Sequence, residues 1–181
     1  MDRRITQVNI SSAGGTAASG SKTYKVTLPN SWMNAMQVNR GNRELALSFD
    51  GKQISISRCL TGPEFAAQKL ELKHDVRLLL LFDGHTLCTA IYADFTDETL
   101  NAQNHVNDPV KTAFGNNALP VWEDFQFFLE ERCIPRGRAG LREYLETIGV
   151  DEYDPTEIIG KTAGRMAEDD QWLRVEDPNP N

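Results

Sequence analysis

Residues 44–58 read Glu44-Leu45-Ala46-Leu47-Ser48-Phe49-Asp50-Gly51-Lys52-Gln53-Ile54-Ser55-Ile56-Ser57-Arg58. Leu45, Leu47 and Phe49 alternate with Glu44, Ala46 and Ser48; beyond Asp50-Gly51, Ile54 and Ile56 alternate with Ser55 and Ser57. A period of two marks strands with one apolar face, and Asp-Gly between two such runs is a strong short hairpin signal. Upstream, the β-rich run 23–28 ends at Pro29, whose fixed φ suits the first turn of a helix. Trp32, Met33, Met36 and Val38 supply the apolar face of a one- or two-turn helix, and 39–42 is a turn. A further strand is predicted over 4–10. The small polar stretch 11–21 buries too little apolar area to order itself and reads as a loop. Residues 4–58 thus read strand, loop, strand, short helix, hairpin, a core marginal on its own that oligomerisation commonly completes.

The Gly-Pro break within 59–66 marks a domain boundary. Beyond it, 76–82 and 86–93 form a second hairpin around Asp83-Gly84-His85, and Leu70 and Leu72 are candidates for an earlier strand. Residues 94–117 are mostly loop, with weak strand signals near 99–106. From Pro120 the period changes: Trp122, Phe125, Phe128 and Leu129 define an amphipathic helix that Cys133-Ile134-Pro135 ends, while Phe127 falls off its face. Leu141, Leu145 and Ile148 mark a second helix closed by Gly149, and Pro155 opens a third anchored by Ile158 and Ile159. Residues 171–175 are a candidate last strand, and 177–181 a frayed tail. The expected fold class is α+β: an acidic α+β domain over 67–176, with a hairpin and two to three helices, follows the small domain 1–58.

The chain has 181 residues, 40% hydrophobic and 25% charged, which argues against wholesale disorder, collagen and solenoids. Its longest apolar run, 78–82, is too short to span a bilayer, and Met1-Asp2-Arg3-Arg4 leads into no signal-like apolar segment, so no membrane role is expected. Cys59, Cys88 and Cys133 are widely spaced, suggesting neither a disulfide framework nor a zinc knuckle, and the expected compartment is a reducing cytoplasm. The net charge of −7 conceals an asymmetry. Residues 1–58 carry eight basic and three acidic side chains, +5; residues 59–181 carry eleven and twenty-three, −12. A basic head on an acidic body suggests an anion-binding module joined to a different one.

The segment Tyr24-Lys25-Val26-Thr27-Leu28-Pro29-Asn30-Ser31-Trp32-Met33, taken with 44–58, resembles the AbrB/MazE/SpoVT family of swapped-hairpin DNA-binding domains. The shared pattern is a basic residue, a β-run ending in proline, a short helix, then a hairpin through Asp-Gly to a strand ending in Lys or Arg. It covers residues 1–58. The resemblance implies a homodimer that interleaves its strands into one β-barrel and binds double-stranded DNA through basic residues on the first strand and the following loop. Carried over by position, the basic residue is Lys25, flanked by Ser21, Lys22 and Asn30, with Arg3 and Arg4 on the neighbouring terminus and Arg40 and Arg43 as further groups available to DNA. The chain departs from the family in carrying Tyr24 and Gln37 where glycines are frequent. Residues 131–142 with Asp169-Asp170-Gln171-Trp172-Leu173 faintly resemble a segment of Firmicutes HipA-like kinase chains, over residues 131–175, but no phosphate loop or kinase motif accompanies it.

No catalytic constellation emerges, and neither a metal nor another cofactor is expected. His74, His85 and His105 lack partners at metal-ligand spacing and read as surface or loop residues. Asp94, Asp97 and Glu98, like Glu168, Asp169 and Asp170, read as solvated acidic faces, although a carboxylate cluster at a strand end could hold Mg²⁺ in a nuclease. Arg132, Arg136, Arg138 and Arg142 read as neutralised by Glu130, Glu131, Glu143 and Glu146, with anion binding the alternative. Two function readings follow. The first is a dimeric, antitoxin-like transcriptional regulator whose acidic body engages a basic protein partner such as a toxin or nuclease. The second is a mobile-element inhibitor of a nucleic-acid-binding enzyme, for example a host immunity nuclease, acting through its acidic surface.

Overall fold

Five consecutive apolar residues, Leu78 to Phe82, suit a strand covered on both faces, and they lie in a central strand of the four-stranded sheet, with Leu79, Leu80 and Leu81 buried. The computed structural model describes residues 2–12 and 20–178. It separates into two units, 1–59 and 60–181. The architecture is mixed α/β with antiparallel sheets.

In unit 1, β1 (Asn9–Ser12) pairs with β2 (Lys22–Lys25), α1 (Asn30–Ala35) follows Pro29, and β3 (Leu45–Phe49) pairs with β4 (Ile54–Arg58). The Asp-Gly turn forms as expected: Asp50 Oδ1 accepts from the Lys52 and Gln53 amides at 2.9 and 2.8 Å, and Gly51 takes φ 92°. Asn39 closes the turn after α1 in the same way, its Oδ1 accepting from Gly41 and Asn42. The first strand is shorter and later than 4–10, because the four residues of β2 offer partners only to 9–12 and leave 2–8 irregular. β2 stops at Lys25 rather than 28, and the chain runs on without strand pairing into Pro29, which has no amide proton to donate. The two ladders are separate two-stranded sheets, and no sheet of the single chain closes into a barrel. The stretch 13–19, part of the expected loop, and residues 179–181 of the tail lie outside the described residues.

Unit 2 opens with α2 (Gly62–Glu71), where the sequence suggested a boundary and then a strand at Leu70 and Leu72. The overlooked signal is local. Thr61 and Glu64 form a reciprocal capping box with Pro63 in the first turn, and these devices outweigh the Gly-Pro pair as a breaker. Gly62 is required by packing, since a Cβ there would lie 2.0 Å from the Tyr92 ring. The sheet comprises β5 (Val76–Asp83), β6 (Thr86–Asp94), β7 (Thr99–Asn104) and β8 (Gln171–Glu176) in the order β7-β6-β5-β8. Among the described residues the unit thus has four strands, the weak signals near 99–106 and at 171–175 both forming strands, and four helices rather than two to three: α2, α3 (Trp122–Glu131), α4 (Leu141–Ile148) and α5 (Pro155–Thr162).

The register sets one face of the sheet. Leu79 pairs with Ile91, and Leu81 with Thr89 and Leu173, so their side chains share the side on which Phe125, Phe128, Leu129, Leu145, Ile158 and Ile159 bury themselves. Each such side chain contributes about 1.5–3 kcal/mol by leaving water, so the cohesion of the chain is concentrated in this unit. Phe127 points away and is exposed. Among the described residues, no helix is long and apolar enough to cross a membrane.

Candidate functional site

Unit 1 has no interior. None of its described residues is buried, although its hairpin 45–58 alternates large apolar side chains with small polar ones. The β3–β4 register places Leu45, Leu47, Phe49, Ile54 and Ile56 on one face of the hairpin and Ala46, Ser48, Ser55 and Ser57 on the other. On the apolar face Leu47, Phe49 and Ile54 are 70%, 69% and 65% exposed. The β1–β2 hairpin is two-faced in the same sense. Ile10 opposite Tyr24 shares a face with Ser12 opposite Lys22, whereas Asn9 opposite Lys25 shares the other with Ser11 opposite Thr23.

Lys22 and Lys25 are therefore on opposite faces of β2, a separation that adjacency in sequence does not reveal. Lys25 stands among hydrogen-bonding side chains on a wholly polar face; Lys22 closes the end of the apolar one. Ser21 precedes β2 half-buried, Asn30 is exposed at the start of α1, and Arg40 and Arg43 are exposed around the Asn39 turn. Arg3 and Arg4 lie in the irregular segment before β1. Arg4 is 3.7 Å from Asp2 and 5.8 Å above the Trp32 ring, while Trp32 Nε1 donates to Asp2 at 2.8 Å. No ion pair among the described residues engages Arg3, Lys22, Lys25, Arg40 or Arg43.

In unit 2 two charged networks correct the sequence reading. Asp94 is not part of a solvated acidic face: it is fully buried at the end of β6. Its Oδ2 lies 2.9 Å from both Lys69 Nζ and His74 Nδ1, and its Oδ1 accepts from the Thr96 and Asp97 amides. Burial pushes its carboxyl upward, but the bonds from His74, Lys69 and the two amides prevail and hold it down at about 2. His74, Asp94 and Asp97 offer donor atoms within 4.8 Å of one another, a metal-capable group hidden by a sequence separation of twenty residues. Lys69 bridges Asp94 and Asp97 at 2.9 and 2.8 Å and already supplies a cation between the two carboxylates.

Arg132 pairs across the fold rather than with neighbouring glutamates. It is buried, donates Nε to Gly164 O at 3.0 Å, grips both Asp169 oxygens at 2.6 and 3.1 Å, and reaches Gln171 O at 2.8 Å. A signal was present: 132 falls on the stripe 125, 128, 129 of α3. Arg136 and Arg142 do pair locally, with Glu130 and Glu146. Burial pushes the Cys133 thiol up to about 12 and raises that of Cys88 too, so neither is poised as a thiolate.

A cleft of about 570 Å³ lies beside α3 and the start of α5. Its floor is the aromatic cluster Phe95, Trp122 and Phe125, with centroids 5.0–6.0 Å apart, and its rim carries Glu98, Glu123, Glu130 and Asp154. Trp122 Nε1 is buried without a hydrogen-bond partner. No family model matches the chain, and no curated protein or solved structure is similar to it.

Proposed function

We propose that the chain is a dimeric DNA-binding regulator of the AbrB/MazE/SpoVT type, antitoxin-like, with an acidic partner-binding unit. The observation that carries this reading is the absence of any buried residue among those described in unit 1, together with the exposed apolar side chains of its two hairpins. A two-stranded hairpin is at best marginally stable in water. Among its described residues unit 1 has two of them, one with an apolar face and one with Ile10 and Tyr24 exposed beside Ser12 and Lys22. Pairing with a second copy would cover Leu47, Phe49, Ile54 and Ile56 from both chains, each worth about 1.5–3 kcal/mol. The interleaved barrel of the family is the geometry that does this without leaving edges.

The opposite faces then fall to the duplex. Lys25, with Asn9, Ser11 and Thr23, presents one cation among side chains able to bond phosphate oxygens, while Arg3, Arg40 and Arg43 add charge that no ion pair among the described residues engages. Binding of this kind is driven by counterion release and weakens steeply with salt.

Light scattering should give twice the 20.3 kDa chain mass at micromolar concentration, and Phe49→Asp should halve it. A monomeric wild-type chain would refute the assembly. In salt titrations on a labelled promoter fragment, Lys25→Ala should lower the slope of log affinity against log salt by about one per contact, about two per dimer. An unchanged slope removes Lys25 from the interface.

A further inference from the structure

We propose that the acid-rimmed aromatic cleft beside α3 receives an arginine side chain from a basic segment of a protein partner. The inference rests on the reading that unit 2 holds a basic partner, and it adds the place and the chemistry. The rim has four carboxylates, Glu98, Glu123, Glu130 and Asp154, against two cations, Arg136, which Glu130 already binds at 2.8 Å, and Arg77, which lies on Phe95 and pairs with Asp75 at 2.7 Å. Glu98 and Glu123 form no ion pair among the described residues, so their charge is uncompensated. The floor is aromatic, and ring faces are electronegative. A cation entering the cleft meets carboxylates and aromatic side chains together, and both attract it.

The chain itself demonstrates the fit. The Arg77 guanidinium lies 4.5 Å from the centroid of Phe95, and that of Arg136 lies 4.1 Å from the centroid of Tyr153. The faces those two cations cover are taken, and the half-buried Trp122 and exposed Phe127 are the lining rings left to an incoming guanidinium. A guanidinium is the better guest than an ammonium because it is planar and weakly hydrated, and it can stack while its edge donates to carboxylates. Phe127, 64% exposed at the lip, offers apolar surface to the methylene stem of the incoming residue. The volume, about 570 Å³, suits a side chain with its flanking backbone rather than a folded element. The unit's charge of −12 steers a basic segment toward it.

The test uses the full-length protein and three labelled peptides of one design, with serine alternating with arginine, lysine or neutral citrulline. Fluorescence anisotropy should show binding of the arginine peptide, about fivefold weaker binding of the lysine peptide, and none of the citrulline peptide. Phe127→Ala, and separately the pair Glu98→Gln with Glu123→Gln, should each weaken the arginine peptide about tenfold. The pair Glu143→Gln with Glu152→Gln, outside the cleft, should leave it unchanged. Equal affinity for arginine and lysine peptides overturns the guanidinium assignment. Cleft variants that bind like wild type, or an equal loss in the Glu143/Glu152 pair, overturn the cleft while leaving unit 2 a basic-partner surface. No binding of either cationic peptide at low salt removes both.

Discussion

Arg132→Ala should lower the stability of unit 2 by about 3–5 kcal/mol, the usual consequence of breaking a buried charge network by removing one partner. The guanidinium ties the end of α3 to Gly164, Asp169 and the first residue of β8, bridging positions 32 to 39 residues apart. Its loss strands the carbonyls of Gly164 and Gln171 and leaves the Asp169 carboxylate without its partner. Arg132→Lys should recover only part of the loss, because an ammonium cannot grip both Asp169 oxygens and the carbonyls together. Asp169→Asn should cost less, since that carboxylate is 37% exposed and water replaces part of the bond. Urea unfolding followed by tryptophan fluorescence, with Trp172 adjacent to the network, measures all three. If Arg132→Ala unfolds within about 1 kcal/mol of wild type, the network is not a structural tie.

Asp94→Asn should destabilise the sheet by about 2–3 kcal/mol at neutral pH, and the penalty should vanish in acid. The direction follows from the depressed carboxyl. Its folded-state value is about 2 against an ordinary 3.8, so its stabilisation is fully present above that ordinary value and is lost as pH falls toward 2. Wild type and variant should therefore diverge at pH 6 and converge near pH 2. Hydrogen exchange of the β5 and β6 amides across that range reads the difference where it arises. A gap independent of pH would mean that the charge of Asp94 contributes nothing and only its shape matters.

The stripe of α3 pointed Arg132 inward, but the partners in both networks were illegible in sequence for one reason. A buried charge looks like a surface charge until its partner is known, and here the partners lie 20 to 37 residues away. Where a signal was local, it could be read. Asp50-Gly51 announced the β3–β4 hairpin, Gly149 closed α4 at φ 70°, and the 125-128-129 stripe gave the helix that packs on the sheet. Leu79 and Leu81 were visible as core, but which side of β5 met α3 depended on pairing with β6 and β8, which only the fold supplies. The helix α2 was missed although its capping box was present, because Gly-Pro was given more weight than Thr61 and Glu64. Among the candidate DNA contacts, the residue types could be named from the sequence; that Lys22 and Lys25 face opposite ways required the register of β1 against β2.

The interior that unit 1 lacks has a bearing on turnover. A segment whose folded state is borrowed from a second copy has a stability set by chain abundance rather than by its own contacts. If unit 1 pairs as proposed, its hairpins would be shielded at high concentration, and on dilution Leu47, Phe49 and Ile54, exposed in the single chain, would return to water and leave an open chain to proteases. The survival time of the molecule would then rise with its own copy number. A fall in synthesis would be amplified into a faster fall in amount, with no signal other than dilution.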